Sequence, residues 1–199
     1  MISCIAGTAY AALRKLAPNG EDTLVIFGQG PVGLMATIMA KAMGARVIAV
    51  DPVADRLELA RRFQADEVVN PLTGDWVEAV RDLSGGMGAR LALETSGHAS
   101  AHQGVIDVLR PNGQGAFVGF GASEPTVNLS QIISKQLVLM GSFVMPVHYY
   151  EDLVDFILRH DLSPQFQALI THRFPLTAAA EAFGVADAGR AGKVLFVWE

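Results

Sequence analysis

The sequence predicts an α/β protein: a doubly wound, six-stranded parallel Rossmann sheet with a C-terminal helix–strand extension. Short strands that are apolar on both faces alternate with longer helical patterns, which indicates a parallel sheet covered by helices on both sides. A glycine-rich turn joins the first strand to the first helix, and one more helix and strand end the chain. Right-handed crossovers then predict the strand order 3-2-1-4-5-6.

Apolar composition and hydrophobic periodicity predict each strand and helix. The six predicted strands are residues 22–28, 46–51, 66–70, 89–97, 114–121 and 136–143, and a final strand covers 192–198. The predicted helices are residues 31–44, 53–65, 74–86, 99–113, 151–161 and 177–189. Pro31 suits the first turn of its helix, and Gly44 suits its end. The 99–113 helix has one apolar face at i, i+3, i+4, i+7 spacing, formed by His102, Val105, Ile106 and Leu109.

Composition excludes several classes of protein. The formal net charge of -5 leaves no basic surface for nucleic acid. No window holds the ~18 uninterrupted apolar residues of a membrane span, and the start lacks the pattern of a signal peptide. The single cysteine, Cys4, excludes an internal disulfide framework. Together these features favour a cytoplasmic location.

The stretch "VIFGQGPVGLMA" is the most informative motif. It follows a strand, opens a helix and precedes, by about 20 positions, an acidic residue at the end of the next strand, Asp51. Gly28 allows a tight turn, Gly30 lets a pyrophosphate approach the backbone, and Gly33 lets the helix pack close to the strand. A purely structural turn and a methyltransferase loop are the two alternatives, although the latter usually lacks a glycine at position 33.

Asp51 favours NAD over NADP. Its carboxylate can accept hydrogen bonds from an adenosine ribose that carries both hydroxyls. A 2′-phosphate would place like charges within roughly 4 Å, at a cost on the order of 4 kcal/mol per pair at an effective dielectric of 20. Arg56 follows closely and could reach such a phosphate, which would weaken this preference.

The motifs taken together resemble the zinc-dependent alcohol dehydrogenases of the medium-chain dehydrogenase/reductase superfamily. The segments that carry the resemblance follow in the family's order and cover nearly the whole chain: "CIAGTAYAALRK", "VIFGQGPVGLMATIMAKAMGARVIAVD", "ADEVVNP", "ALETSG", "GAFVGFG" and "GRAGKVLFV". The resemblance implies the cofactor-binding half without the N-terminal catalytic domain. It divides the chain into an NAD-binding domain with an N-terminal linker helix, 1–174, and a segment that returns to the catalytic domain, 175–199.

The resemblance also implies site residues. The positions that match the pyrophosphate loop are Gly28, Gly30, Pro31, Val32 and Gly33. The adenosine ribose is held by Asp51 and Arg56. The segments near the nicotinamide are Val118, Gly119 and Phe120, followed by Ser142 and Phe143. Thr8 matches a residue behind the nicotinamide ring, which makes it the candidate catalytic residue, and Lys193 matches a basic residue near the pyrophosphate.

Cys4 matches the position of a catalytic zinc ligand in this family. A catalytic zinc takes about three protein ligands and an open position, and the resemblance implies that the others belong to the catalytic domain. We therefore expect zinc in a full-length member and not in this chain alone. His98 and His102 are interpreted as surface residues, and His148, His160 and His172 as polar or capping residues. Ser96 and Ser123 have no base in the local pattern.

Three functions remain open. The first is an NAD-dependent alcohol or polyol dehydrogenase, the second a module that binds NAD(H) without redox chemistry, and the third a scaffold with a relic nucleotide site. The apolar segment "QLVLMGSFV" is predicted at the sheet edge, where an unpaired strand invites pairing with a second copy. The family forms dimers through this edge, so the resemblance implies a homodimer. It also implies that the C-terminal helix and strand bury apolar residues against a catalytic domain.

Overall fold

The main sheet of the protein is parallel and six-stranded. The computed structural model describes residues 2–121, 126–189 and 191–198. The strands in chain order are β1 Thr23–Phe27, β2 Arg46–Val50, β3 Glu67–Val69, β4 Ala89–Glu94, β5 Leu109–Phe117 and β6 Val138–Gly141. They lie side by side in the order β3-β2-β1-β4-β5-β6, which confirms the predicted Rossmann fold and its strand order.

Helices connect these strands and cover both faces of the sheet. They are α1 Gly7–Leu16, α2 Pro31–Ala42, α3 Ala54–Arg62, α4 Trp76–Leu83, α5 Ala99–Val108, α6 Leu129–Ser134, α7 Tyr150–Arg159, α8 Ser163–Ala168 and α9 Ala179–Asp187. A π-helical turn, Ile2–Ala6, precedes α1, and short 3₁₀ turns occur at Val147–Tyr149 and Leu176–Ala178. No helix among the described residues is long and apolar enough to cross a membrane.

The two faces of the sheet bury separate apolar clusters. Along β1, Leu24 and Ile26 join the cluster that also holds residues of α1, α2 and α7. Val25 and Phe27 join the second cluster, to which α4 and α5 contribute. Side chains alternate between the faces of a strand, so a strand that is apolar at every position is buried on both. Because these strands run in parallel, their carboxyl ends lie at one edge of the sheet.

The fifth strand starts earlier than predicted. Helix α5 ends at Val108, and β5 already begins at Leu109, where the sequence predicted a helix to residue 113. The pairing of β4 with β5 shifts register between Ala89 and Leu91. Asn112 has a positive φ of 59°, a conformation that asparagine tolerates better than most residues. A bulged strand with a local turn therefore replaces the last helical turn.

The edge strand is shorter than predicted. Gln136, with φ of 51°, turns the chain just before β6, and Ser142 N donates to Phe117 O (2.9 Å) just after it. Lys135 supports this edge: its Nζ donates to three carbonyl oxygens at the end of α5, those of Ile106, Asp107 and Leu109. Cations near a helix C-terminus are stabilising.

A second, two-stranded sheet forms the C-terminal extension. Strand β7, Ile170–Pro175, pairs in parallel with β8, Lys193–Val197, and α9 connects them. The helix and the last strand confirm the predicted extension. Strand β7 was not predicted, because three consecutive polar residues, 171–173, separate Ile170 from Phe174. The proposed boundary at residue 175 lies at the end of β7 and stays a prediction.

Asp66 gives the fold a measurable pH dependence. Burial alone raises the pKa of Asp66, but hydrogen bonds from Lys41 Nζ (2.7 Å) and Val47 N (2.7 Å) outweigh it and hold the pKa below its ordinary value of 3.8. A lowered pKa in the folded state adds stability above the unfolded-state pKa, and this stability is lost as pH falls through the folded value. Asp66→Asn is expected to cost about 1 kcal/mol at neutral pH, after solvent screening.

Urea unfolding of both proteins from pH 7 to pH 2.5 tests this expectation. The free-energy difference is expected to shrink as pH drops below the ordinary pKa of the carboxyl. Glu58→Gln is the control, because the Glu58–Arg61 pair is exposed on both sides and is expected to contribute little at any pH. If Asp66→Asn lowers the free energy of unfolding equally at pH 7 and at pH 2.5, the lowered pKa of Asp66 is contradicted.

Candidate functional site

The glycine loop lies at the carboxyl end of β1 and leads directly into α2. Gly28 has a positive φ of 85°, and its N–H donates to Val50 O (2.8 Å). A Cβ at Gly28 would lie 2.8 Å from Ser96 Cβ. Both the backbone conformation and the packing therefore demand glycine at this turn.

The next two glycines have opposite surroundings. A Cβ at Gly33 would lie 1.8 Å from Gly28 O, so α2 crosses the end of β1 at backbone contact. A Cβ at Gly30 would meet nothing within 4 Å. Gly30 is the N-cap residue of α2, with Pro31 in the first turn. The unpaired N–H groups of a helix start attract an anion, and here they adjoin open space.

Asp51 follows β2 and is 1% exposed. Its Oδ2 accepts from Gln29 N (2.7 Å), and its Oδ1 accepts from Val53 N (2.8 Å). Arg56 Nη1 lies 3.6 Å from Oδ2. The carboxylate thus ties the glycine loop to the end of β2, in addition to any contact with a ligand.

Two residues beneath the loop were not singled out by the sequence. Gln29 is fully buried: its Nε2 donates to Ile26 O (3.1 Å), and its Oε1 accepts from Thr37 Oγ1 (3.0 Å). Thr95 Oγ1 lies within hydrogen-bond distance of the Phe27 and Gly28 carbonyl oxygens. These contacts tie the loop to the end of β1 and to α2.

Three cavities collect most of the predicted site residues. One of about 450 Å³ lies at the ends of β1, β2 and β4, and its lining includes Gly28, Asp51, Arg56, Trp76 and His98. A second of about 530 Å³ is lined by Pro31, Arg56 and Lys193, together with apolar residues of α9 and β8. Arg56 lines both, so the two cavities share one wall: the predicted ribose residues line the first, and Pro31 and Lys193, predicted for the pyrophosphate, line the second.

The third cavity, of about 490 Å³, lies at the ends of β5 and β6. Its lining includes both segments predicted to lie near the nicotinamide: Val118, Gly119 and Phe120, and Ser142 and Phe143. Phe120 and Phe143 are 86% and 71% exposed, and their ring centroids are 5.6 Å apart in an edge-to-face arrangement. Lys15 Nζ donates to Gly141 O (2.7 Å) and holds α1 beside this cavity.

The remaining predicted residues lie elsewhere. Cys4 is exposed in the π-helical turn, Thr8 is buried at the start of α1, and Val32 packs partly buried against the core. Among the described residues, no group of three or more histidine, cysteine, aspartate or glutamate side chains is placed to hold a metal. Ser123 lies outside the described residues.

The surface interpretation of His102 was wrong. His98 is exposed and precedes α5, but His102 is 8% exposed, and its Nε2 lies 3.6 Å from Glu94 Oε2. The sequence held the signal, since His102 shares its helix face with Val105 and Ile106, which are fully buried. Helix α5 presses this face onto the sheet.

The parallel sheet and the glycine loop define the class of protein, a doubly wound α/β domain of the Rossmann type. The family described as zinc-binding dehydrogenase matches residues 31–159. The chain belongs to this zinc-binding dehydrogenase family, a family of oxidoreductases, which confirms the resemblance drawn from the motifs.

Individual relatives agree with this assignment. An L-threonine 3-dehydrogenase of Saccharopolyspora erythraea is 37% identical over 195 residues, which cover 96% of this chain and 55% of that protein. The solved alcohol dehydrogenase TADH from Thermus sp. ATN1 superposes with a TM-score of 0.89 at 28% identity, over 98% of this chain and 56% of that one. A solved NAD-dependent alcohol dehydrogenase gives a TM-score of 0.81 at 28% identity, over 98% and 57%. The chain spans about half the length of these relatives.

Proposed function

We propose that the chain is the NAD-binding portion of a zinc-type alcohol or polyol dehydrogenase. The observation that carries the proposal is the open backbone at Gly30, framed by the forced turn at Gly28 and the tight helix crossing at Gly33. The name of one structural relative, NAD-dependent alcohol dehydrogenase, supports the choice of coenzyme. When bound, the nicotinamide exchanges a hydride with the carbon that carries the alcohol group.

The residues of this chain bind and orient the coenzyme. The amides at the start of α2 and the ammonium of Lys193 offset the charge of the pyrophosphate. Asp51 and Arg56 hold the adenosine ribose. The 118–120 and 142–143 segments would border the nicotinamide, and Thr8 is assigned the position behind its ring.

Titration of the purified chain with NAD⁺ and NADP⁺ tests the proposal. The carboxylate of Asp51 lines the cavity into which a 2′-phosphate would project. We expect NAD⁺ to bind about three orders of magnitude more tightly than NADP⁺. Equal affinities would contradict the coenzyme assignment, and no binding of either would favour a scaffold with a relic site.

The described residues do not fit a catalytic zinc on their own. Cys4 is exposed, and within the described ranges no three-ligand group includes it. This observation favours a second candidate for the chain by itself, a module that holds NAD(H) without redox chemistry. A zinc assay combined with NADH formation over a panel of alcohols separates the two. Turnover with bound zinc supports the dehydrogenase, and NAD⁺ binding without turnover supports the module.

The C-terminal extension offers a surface for a catalytic portion. Its exposed large apolar side chains are Leu176, Phe183, Val197 and Trp198. Several exposed apolar side chains within one short stretch of chain are typical of a surface that packs against another domain or chain. We propose a separate or additional catalytic domain as its partner.

The free edge of β6 is proposed to pair with a second copy of the chain. β6 ends the six-stranded sheet, and nearby exposed apolar residues are Leu129, Ile133 and Val138. Light scattering is expected to give the mass of a dimer. Val138→Lys is expected to weaken that dimer at least about tenfold, because a charge on an edge strand opposes strand pairing.

The matched control is Leu158→Lys on α7, where an exposed leucine lies outside this edge. It is expected to leave the mass unchanged. A monomeric mass for the unaltered chain would remove the proposal, and so would a dimer that both variants weaken equally.

A further inference from the structure

Glu94, the last residue of β4, is a fully buried carboxylate with one unused oxygen. Its side chain is 0% exposed. Oε1 accepts from Ser96 N (2.7 Å), Ser96 Oγ (2.5 Å) and Gly97 N (2.8 Å), whereas Oε2 accepts no hydrogen bond. A buried acceptor without a partner costs free energy, so this arrangement needs a physical reason.

Glu94 also holds the segment that borders the third cavity. Its carbonyl oxygen accepts from Val118 N (2.9 Å) and Gly119 N (3.3 Å). A Cβ at Gly119 would lie 2.6 Å from Glu94 Oε2 and 2.1 Å from Gly97 N. The 118–120 backbone therefore rests directly on the carboxylate and on the turn that the carboxylate fixes.

His102 meets the unused oxygen from α5. Its Nε2 lies 3.6 Å from Glu94 Oε2, about half an ångström beyond hydrogen-bond distance. The imidazole ring lies 5.6 Å from the ring of Phe117, and its Nδ1 has no hydrogen-bond partner. Two buried polar groups thus face each other behind the 118–120 segment.

We propose that Glu94 and His102 form a positioning pair that sets the 118–120 segment against the nicotinamide half of NAD. This inference rests on the proposed coenzyme-binding function. Both side chains are buried, so they act through the main chain of Gly119 and do not touch the coenzyme. The two facing atoms, Glu94 Oε2 and His102 Nε2, lie on the Gly119 side and so act at the nicotinamide end. Glu94 Oε1 instead holds the turn at Ser96, which lines the cavity at Asp51, and glutamine keeps an oxygen for this role.

A comparison of NAD⁺ with ADP-ribose tests the pair, because ADP-ribose keeps the adenosine and pyrophosphate but lacks the nicotinamide. Calorimetric titration of Glu94→Gln and His102→Phe is expected to show NAD⁺ affinity reduced about fivefold in each. Their ADP-ribose affinity is expected to change by less than about twofold. His102→Gln, whose amide can donate to Oε2, is expected to restore the preference for NAD⁺.

The control is His160→Phe, a substitution of the same type at an exposed histidine that follows α7, which is expected to change neither affinity. Equal losses for the two ligands would show a purely structural role and overturn the inference, as would no loss of affinity for either ligand. Equal binding of NAD⁺ and ADP-ribose by the unaltered chain would overturn the inference alone. Binding of neither ligand would overturn the proposed function as well. If Glu94→Gln does not fold, the two His102 variants decide the question.

Discussion

Gly33→Ala is expected to destabilise the protein by about 3 kcal/mol or more. The added Cβ would lie 1.8 Å from Gly28 O and 2.9 Å from Thr95 Oγ1. Neither neighbour can move aside easily. The Gly28 oxygen belongs to the backbone, and the Thr95 hydroxyl donates to backbone carbonyl oxygens. Relief requires α2 to move away from β1, which opens the most buried part of the core. Urea unfolding measures the loss directly.

Gly30→Ala is the matched substitution three residues earlier. Gly30 has φ of -71° and ψ of -174°, which alanine adopts without strain, and nothing lies within 4 Å of its Cβ position. The free energy of unfolding of the Gly30→Ala protein is expected to stay within about 0.5 kcal/mol of that of the unaltered protein. NAD⁺ affinity is nevertheless expected to fall at least about tenfold, because the methyl group occupies the space proposed for the pyrophosphate.

The pair of variants separates the two tasks assigned to the loop. Gly33→Ala is expected to change unfolding, and Gly30→Ala to change ligand binding with the fold intact. A Gly30→Ala protein that binds NAD⁺ normally would contradict the pyrophosphate assignment. A Gly33→Ala protein of normal stability would contradict the close crossing of α2 over β1.

The central strands could be predicted from the sequence because burial on both faces leaves a signal at every position. The strands β1, β2 and β4 are such runs, and the glycine loop between β1 and α2 has its own motif. The limits of β5 had no such signal. They depend on a bulge in the pairing with β4 and on the turn at Asn112, both of which involve residues distant in the sequence.

The support of the site was also beyond prediction from the sequence. The bond from Gln29 N to Asp51 joins residues 22 positions apart, and only the assembled sheet brings them together. Glu94 is different, because an acidic residue directly after a buried apolar run, here residues 91–93, is itself a signal. His102 lies on an apolar helix face, so the sequence could have predicted that both Glu94 and His102 are buried polar residues that need a partner.

Asp51→Asn is expected to erase most of the discrimination against NADP⁺. The substitution keeps the size of the side chain and removes its charge. The preference for NAD⁺ is therefore expected to fall by about three orders of magnitude, the value of one close like-charge pair. Stability is also expected to fall, by about 1 to 3 kcal/mol. The asparagine amide nitrogen would face the N–H of either Gln29 or Val53, each of which now donates to the carboxylate.

Gln29→Leu separates the two effects of Asp51. It removes the side-chain bonds to Ile26 O and Thr37 Oγ1 but leaves the backbone N–H that Asp51 accepts. It is expected to weaken NAD⁺ and NADP⁺ binding by the same factor, because it loosens the loop without changing charge. Parallel titrations of the two variants with both coenzymes give the ratio directly. An Asp51→Asn protein whose ratio matches that of Gln29→Leu would show that Asp51 acts only by holding the loop, because its charge would then contribute nothing to the choice of coenzyme.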